Sequence, residues 1–169
     1  MKNLEFALEV IGEVGHPVVF DIYGPIREPD YWEECQRKIA GLPDHISIQY
    51  KGEVRPEEVP ETFGQYDLFL FPTRGENYGH VIFESVAVGT SVLVSDRTLW
   101  KGSAKEGVHS LPLEQTEEWV AAVRDWVGLE PNEREERRMV AKRYTMQYLQ
   151  NSQAVEQNRQ LFCQTAETF

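Results

Sequence analysis

Cysteine is nearly missing from this chain, with two in 169 residues, Cys35 and Cys163. They lie far apart and match no metal-ligand or redox spacing, so they read as reduced thiols rather than a disulfide framework. No apolar run reaches membrane length, no stretch has the pattern of a secretory signal, and no segment is of low complexity. Positive charge is also short: 17 Lys and Arg face 28 Asp and Glu, a net charge of −11. That deficit argues against the nucleic-acid backbone as a main partner. It leaves room for a small anion held by backbone N–H groups and one or two cations. What is present is a 41% apolar, 27% charged composition, that of a soluble globular domain able to bury a core.

Read in order, apolar positions at 4, 6, 8, 10, 11 and 14 mark a helix over 2–14, ending at Gly15. Val18 to Tyr23 reads as a strand running into Gly24-Pro25. A second helix spans Pro29 to Ala40, packing through Tyr31, Trp32, Cys35 and Ile39. Ile46 to Tyr50 alternates as a strand, and Pro56 to Gln65 is a short helix with acids in its first turn, which suits the helix dipole. Beyond residue 97 come a loop to Gly107, a weak strand over His109–Leu113, and an amphipathic helix over Gln115–Val127. Pro131 to the end reads as helix in two pieces, broken near Asn151-Ser152. Apart from this β/α alternation there is no internal repeat.

The densest stretch is 71–96. A buried strand, Asp67–Phe71, leads through a polar loop over 73–79 into a helix over His80–Val88, capped by Gly89. A second buried strand, Ser91–Ser95, follows. Strand, loop, helix and strand in about 30 residues make a right-handed unit with parallel strands. Within its helix, Glu84 is flanked by Val81, Ile82, Phe83, Val86, Ala87 and Val88, so it is expected to be largely buried. A buried carboxylate is costly unless paired. The free N–H groups of the first turn nearby favour an anion such as phosphate. An anion site beside a carboxylate that accepts hydroxyl hydrogen bonds suits a sugar or ribose phosphate. An acid that merely complements the helix dipole is the alternative.

Strands alternating with helices give an α/β class with a mostly parallel sheet of about five strands, doubly wound and Rossmann-like. Ligands of such sheets sit at the carboxyl ends of the strands. Gly24, Gly52, Gly75 and Gly79 all fall on that edge, where small residues let a ligand approach the backbone. Each could serve only a turn.

The string GENYGHVIFESVAVGTSVLVSD, with Glu76 and Glu84 separated by seven residues, resembles the signature of the retaining, group 1 nucleotide-sugar glycosyltransferases of family four. KNL at 2–4, IYGP at 22–25, YKGEV at 50–54, YDLFLFPT at 66–73, SDRTLW at 95–100 and NRQLF at 158–162 extend the resemblance over nearly the whole chain. It implies the donor-binding half of a GT-B fold. Glu84 would bind the ribose hydroxyls, and Glu76 would accept hydrogen bonds from the donor sugar. The backbone amides of Asn77, Tyr78, Gly79, His80 and Val81 would hold sugar and diphosphate. Gly24 would lie on the same edge, and the loop of Gly52, Val54 and Arg55 would lie against the base. Lys2 falls at the family's phosphate-binding lysine, where a cation offsets charge on the leaving diphosphate. The imidazole of His80 either enters the site or serves the helix start.

The donor would be a UDP-sugar or GDP-sugar with no metal or other cofactor required. The acceptor would be a glycan, lipid or polysaccharide precursor. The expected location is the cytoplasm, with a membrane-peripheral placement of a longer enzyme left open. Departures from the family are equally plain. No residues correspond to the acceptor-binding half, and the strand and arginine that normally precede Lys2 are absent, so the chain alone is expected to be inactive. Val18–Tyr23 would then pair directly with Asp67–Phe71, or a neighbouring chain would fill the place between them. The segment KGSAKEGVHS replaces the glycine-rich turn expected before the last strand. Two other readings stay open: a nucleotide-binding or interaction module without transferase chemistry, in which Arg74 or Lys101 satisfies Glu84, and an inverting enzyme or sugar epimerase of similar architecture.

Overall fold

A computed structural model describes residues 2–151 of the chain. Helix α1 (Leu4–Gly12) leads to strand β1 (Val18–Tyr23), helix α2 (Pro29–Ala40) and strand β2 (Ile46–Gly52). A short 3-10 turn (Pro56–Glu58) runs into α3 (Val59–Gly64) and β3 (Leu68–Phe71). Then come α4 (His80–Ala87), β4 (Ser91–Ser95), β5 (Val108–Leu111), α5 (Thr116–Val127) and α6 (Pro131–Asn151). Proline opens α2, where its missing N–H costs nothing and its φ is already helical. The second helical piece, the NRQLF string and Cys163 lie outside the described residues.

All strand pairs are parallel. Val18 of β1 pairs with Ile46 of β2, Leu68 of β3 with Ser91 of β4, and Val92 of β4 with Val108 of β5. The class is as expected, but the single sheet is not: the strands form a pair, β1–β2, and a triplet, β3–β4–β5. Direct pairing of β1 with β3 is therefore not formed. Side chains tie the two sheets instead. The Tyr66 hydroxyl donates to Asp21 Oδ2 at 2.7 Å and lies 2.6 Å from the Tyr23 hydroxyl. Burial pushes the Tyr66 phenol far above its ordinary value, so it stays a donor. Asp21 Oδ1 is buried with no hydrogen-bond partner among the described residues.

Strand β4 is buried along its whole length, and its alternation divides the core. Leu93 joins Val10, Ile11, Val14, Trp119 and Val123 in one cluster, against which Phe20, Ile48, Leu68 and Leu70 of the other strands also pack. Val92 and Val94 join Phe71, Ile82, Val86 and Trp100 in the second. The helices divide likewise, α1 packing on α2 and α5, and α4 on α3 and α6. Trp119 anchors the first layer, fully buried, with its Nε1–H on the Pro112 carbonyl at 2.8 Å and Phe6 edge-on at 5.4 Å. Arg124 of α5 donates to the Glu13 and Val14 carbonyls, satisfying acceptors just past the end of α1. On the other layer Arg134 of α6 holds Asp67 at 2.8 Å and Arg138 holds the Tyr66 carbonyl at 2.9 Å.

Strands β4 and β5 are joined without a helix, by residues 96–107. This loop lies close along β5. Ser110 N–H donates to the Gly102 carbonyl at 3.1 Å, and a Cβ at Gly102 would meet the Val108 carbonyl oxygen at 2.3 Å. Gly102 in the divergent KGSAKEGVHS segment is thus a packing requirement.

Candidate functional site

Because the strands are parallel within each sheet, Gly24 and Gly52 leave one common end of their pair and Thr73 and Asp96 one common end of the triplet. The first two loops touch: Gly24 N–H donates to the Gly52 carbonyl at 2.8 Å, and the Tyr50 hydroxyl donates to the Gly24 carbonyl at 2.7 Å. Val54 lines an open hollow of about 330 Å³ together with Tyr23, Glu53, Glu58, Glu61, Thr62 and Gln65. Arg55 does not stand free over this hollow. Its guanidinium is engaged by Glu58 and lies 3.5 Å from Glu57.

The loop after β3 is braced from below. Thr73 Oγ1 donates to the Gly75 carbonyl at 2.8 Å and accepts from Gly75 N–H, and Ser95 at the end of β4 donates to the Thr73 carbonyl. Glu76 meets Lys2 here. Lys2 Nζ lies 2.6 Å from Glu76 Oε2 and 4.6 Å from the centroid of the Phe71 ring. Asn77 N–H donates to the other oxygen of Glu76 at 3.2 Å. The hydrogen bond from Lys2 holds the Glu76 carboxyl below its ordinary range. Lys2 is led into place by Asn3, buried and left-handed at φ 61° immediately before α1. Asparagine tolerates that conformation better than most residues.

Helix α4 starts at Gly79, whose carbonyl accepts from the N–H groups of Ile82 and Phe83. Gly79 is left-handed at φ 76°, and no side chain caps the helix. The N–H groups of His80 and Val81 fall in the first turn, where no intrahelical acceptor exists, and the partial positive charge there is not offset by an acid in the turn. Asn77, Tyr78 and His80 are exposed, and the Tyr78 and His80 rings lie 4.5 Å apart.

Glu84 is a correction. It is exposed, not buried. Ile82, Ser85 and Val86 face inward, while His80, Glu84 and Ala87, spaced four and three apart, form one outward stripe. A carboxylate on that stripe carries no burial cost. Neither Arg74 nor Lys101 pairs with it; Lys101 donates to the Asp96 carbonyl at 2.6 Å. Among the described residues the Glu84 carboxylate has no ion pair or hydrogen bond.

One residue of this region has no role that the sequence alone assigns. Trp100, 2% exposed, donates its Nε1–H to the Tyr78 carbonyl at 2.7 Å. Its backbone is held in turn by Thr98, whose hydroxyl accepts from Trp100 N–H at 3.2 Å. The only signal in the sequence is a large aromatic in an otherwise polar, glycine-bearing loop. Among the described residues no group of three or more His, Cys, Asp or Glu is arranged to hold a metal ion, and no helix is long and apolar enough to cross a membrane.

The family described as glycosyl transferases group 1 matches residues 1–128. No curated protein sequence matches the chain. Among solved structures, Anabaena HepE in complex with UDP is similar at TM-score 0.75 and 18% identity, over 99% of this chain and 46% of that one. Sucrose-phosphate synthase from Thermosynechococcus elongatus is similar at TM-score 0.75 and 16% identity, over 99% of this chain and 43% of that one. The catalytic domain of cholesterol-alpha-glucosyltransferase from Helicobacter pylori is similar at TM-score 0.69 and 15% identity, over 87% of this chain and 91% of that domain. This chain thus spans less than half of the first two. At these identities the likeness is one of fold.

Proposed function

The chain belongs to the glycosyl transferases of group 1, and on that premise we propose that it binds a nucleoside diphosphate sugar and supplies the donor half of a sugar-transfer site. The observation that carries this reading is the Lys2–Glu76 pair at 2.6 Å, in the loop that runs into the uncapped start of α4. Lys2 and the first-turn amides supply positive charge for a diphosphate, and the two acids supply acceptors for hydroxyl groups. Glu84, exposed and unpaired, suits ribose hydroxyls. Glu76 suits the donor sugar. The hollow beside Val54 suits the base.

In the transfer itself, the bond between the sugar's anomeric carbon and the diphosphate oxygen breaks, and an acceptor hydroxyl takes its place. The nucleoside diphosphate leaves, and the hydroxyl proton goes to solvent or to a phosphate oxygen. Lys2 has three donors, so one can stay on Glu76 while another meets the departing phosphate as its charge grows. We assign the reaction to the retaining class, with a hexosyl donor carried on UDP or GDP and no requirement for divalent metal. The acceptor, a glycan, lipid or polysaccharide precursor, would be held by residues outside this chain. HepE was solved with UDP, which supports UDP as the first nucleotide to test.

The test is calorimetric titration of the chain with UDP and GDP, with and without EDTA. One of the two should bind, EDTA should leave its affinity unchanged, and Glu84→Ala should weaken it. A folded chain that binds neither nucleotide, or binds as well without Glu84, would overturn the assignment.

A further inference from the structure

We propose that Trp100 is a positioning residue for the diphosphate, which aims the Gly79 N–H into the anion site by holding the Tyr78 carbonyl. The proposal rests on the donor-binding reading above. The Tyr78 carbonyl and the Gly79 N–H belong to one planar trans peptide and point in opposite directions. Whatever holds the carbonyl therefore decides where the N–H points. The Trp100 indole holds it at 2.7 Å, so the Gly79 N–H is turned away from the indole. Reversing this peptide would turn the carbonyl, an acceptor, toward the anion.

Gly79 adopts left-handed or right-handed backbone with equal ease, so its own sterics do not select an orientation. The flanking Tyr78 and His80 are exposed. Trp100 is held by its own packing: its ring stacks on Tyr148 of α6 at 4.5 Å and 18°, and lies 6.2 Å from the Tyr144 ring. Tyr148 also meets the Tyr78 side chain, so α6 supports both indole and loop. The indole also needs glycine at position 79, because a Cβ there would lie 2.8 Å from Trp100 Nε1. Glycine and tryptophan are therefore a matched pair. Glycine permits the close approach, and the indole supplies the direction that glycine lacks. Trp100 sits in the segment 95–100, far in sequence from the loop it governs.

The experiment compares the wild-type chain with Trp100→Phe, which keeps one aromatic ring over Tyr148 and removes the N–H donor together with the second ring. UDP and uridine are titrated into both by ligand-observed NMR. Trp100→Phe should bind UDP about tenfold more weakly, the scale of one hydrogen bond to an anion, and should bind uridine as the wild type does. Equal UDP affinity, or equal losses for UDP and uridine, would overturn the proposal, the latter because a general structural role moves both. A second measurement uses the wild type alone and does not depend on the variant folding. The Gly79 amide proton should shift downfield with UDP and not with uridine; a Gly79 shift no larger than that of Gly75 overturns the proposal. A folded wild type that binds neither UDP nor GDP overturns the donor-binding reading and this proposal together, whereas UDP binding indifferent to Trp100 overturns this proposal alone.

Discussion

The ammonium of Lys2 stands 2.6 Å from the Glu76 carboxylate, although 74 positions separate them in sequence. The pair joins the stretch leading into α1 to the loop between β3 and α4, with the Phe71 ring beneath the cation. The Lys2 side chain is 64% exposed, so water screens the attraction and the pair adds little to folding. Its value lies in placing a cation and a carboxylate side by side at the carboxyl ends of the strands.

Lys2→Met should therefore change unfolding free energy by less than about 1 kcal/mol, while weakening UDP binding about tenfold or more through loss of a charge-assisted contact. The same substitution should change how Glu76 titrates. Lys2 lowers the Glu76 pKa, so the pair's contribution is present above the ordinary glutamate value of about 4.3 and is lost as pH falls through the lowered one. Carbon-detected NMR should find Glu76 titrating below its ordinary value in the wild type and moving up in Lys2→Met. An unmoved Glu76 would mean that the two groups do not interact in solution.

Gly79→Ala should be among the more damaging single-methyl changes in the molecule. Its φ of 76° costs an L-residue about 1–2 kcal/mol, and the new Cβ would meet Trp100 Nε1 at 2.8 Å and Ile82 Cδ1 at 2.9 Å. Gly75→Ala, in the same loop, meets nothing within 4 Å and should be nearly neutral. Urea unfolding of the two variants checks the contrast; equal stabilities would mean that the loop relaxes freely around position 79.

Most of the element order was legible because local signals agreed. Pro29 to Ala40 has a proline start and one packing side, and β4 is a short apolar run between Thr90 and Asp96. Glu84 was misread because most residues around it in sequence are apolar. A helix brings together residues three and four apart, so His80 and Ala87 set its surroundings rather than Phe83 and Ser85. Pairing between strands carries no local signature, which is why the sequence left open whether β1 and β3 pair directly or have a place between them. Trp100 stayed hidden for a related reason. Its partner is a backbone carbonyl 22 positions away, and carbonyls look alike in every sequence.

The break between β1 and β3 should be visible in hydrogen exchange. Strand β4 is bonded on both sides, to β3 and β5, whereas among the described residues β1 is bonded only to β2, and Val19 of β1 is 71% exposed. Amides of β4 should exchange only through large-scale unfolding. Those amides of β1 that point away from β2 should exchange about a hundredfold faster or more, because no opening event must come first. Uniform slow exchange along β1 would show that another segment covers this edge in solution.

Stability should also fall on mild acidification, and His109 should be the main cause. It lies half-buried on β5, beside Asp125, Trp126 and Arg137. Burial, assisted by the Arg137 charge and opposed by Glu118 and Asp125, pulls its pKa below the ordinary value. The unfolded chain therefore binds a proton at His109 more readily than the folded one does. Stability from this residue is complete above the unfolded value of about 6.5, and it is lost as pH falls from there through the lowered folded value. His109→Gln should flatten the dependence of urea midpoint on pH between about 6.5 and 5, a window that lies above the ordinary carboxylate range of about 4. An unchanged slope in that variant would place the proton uptake at another group.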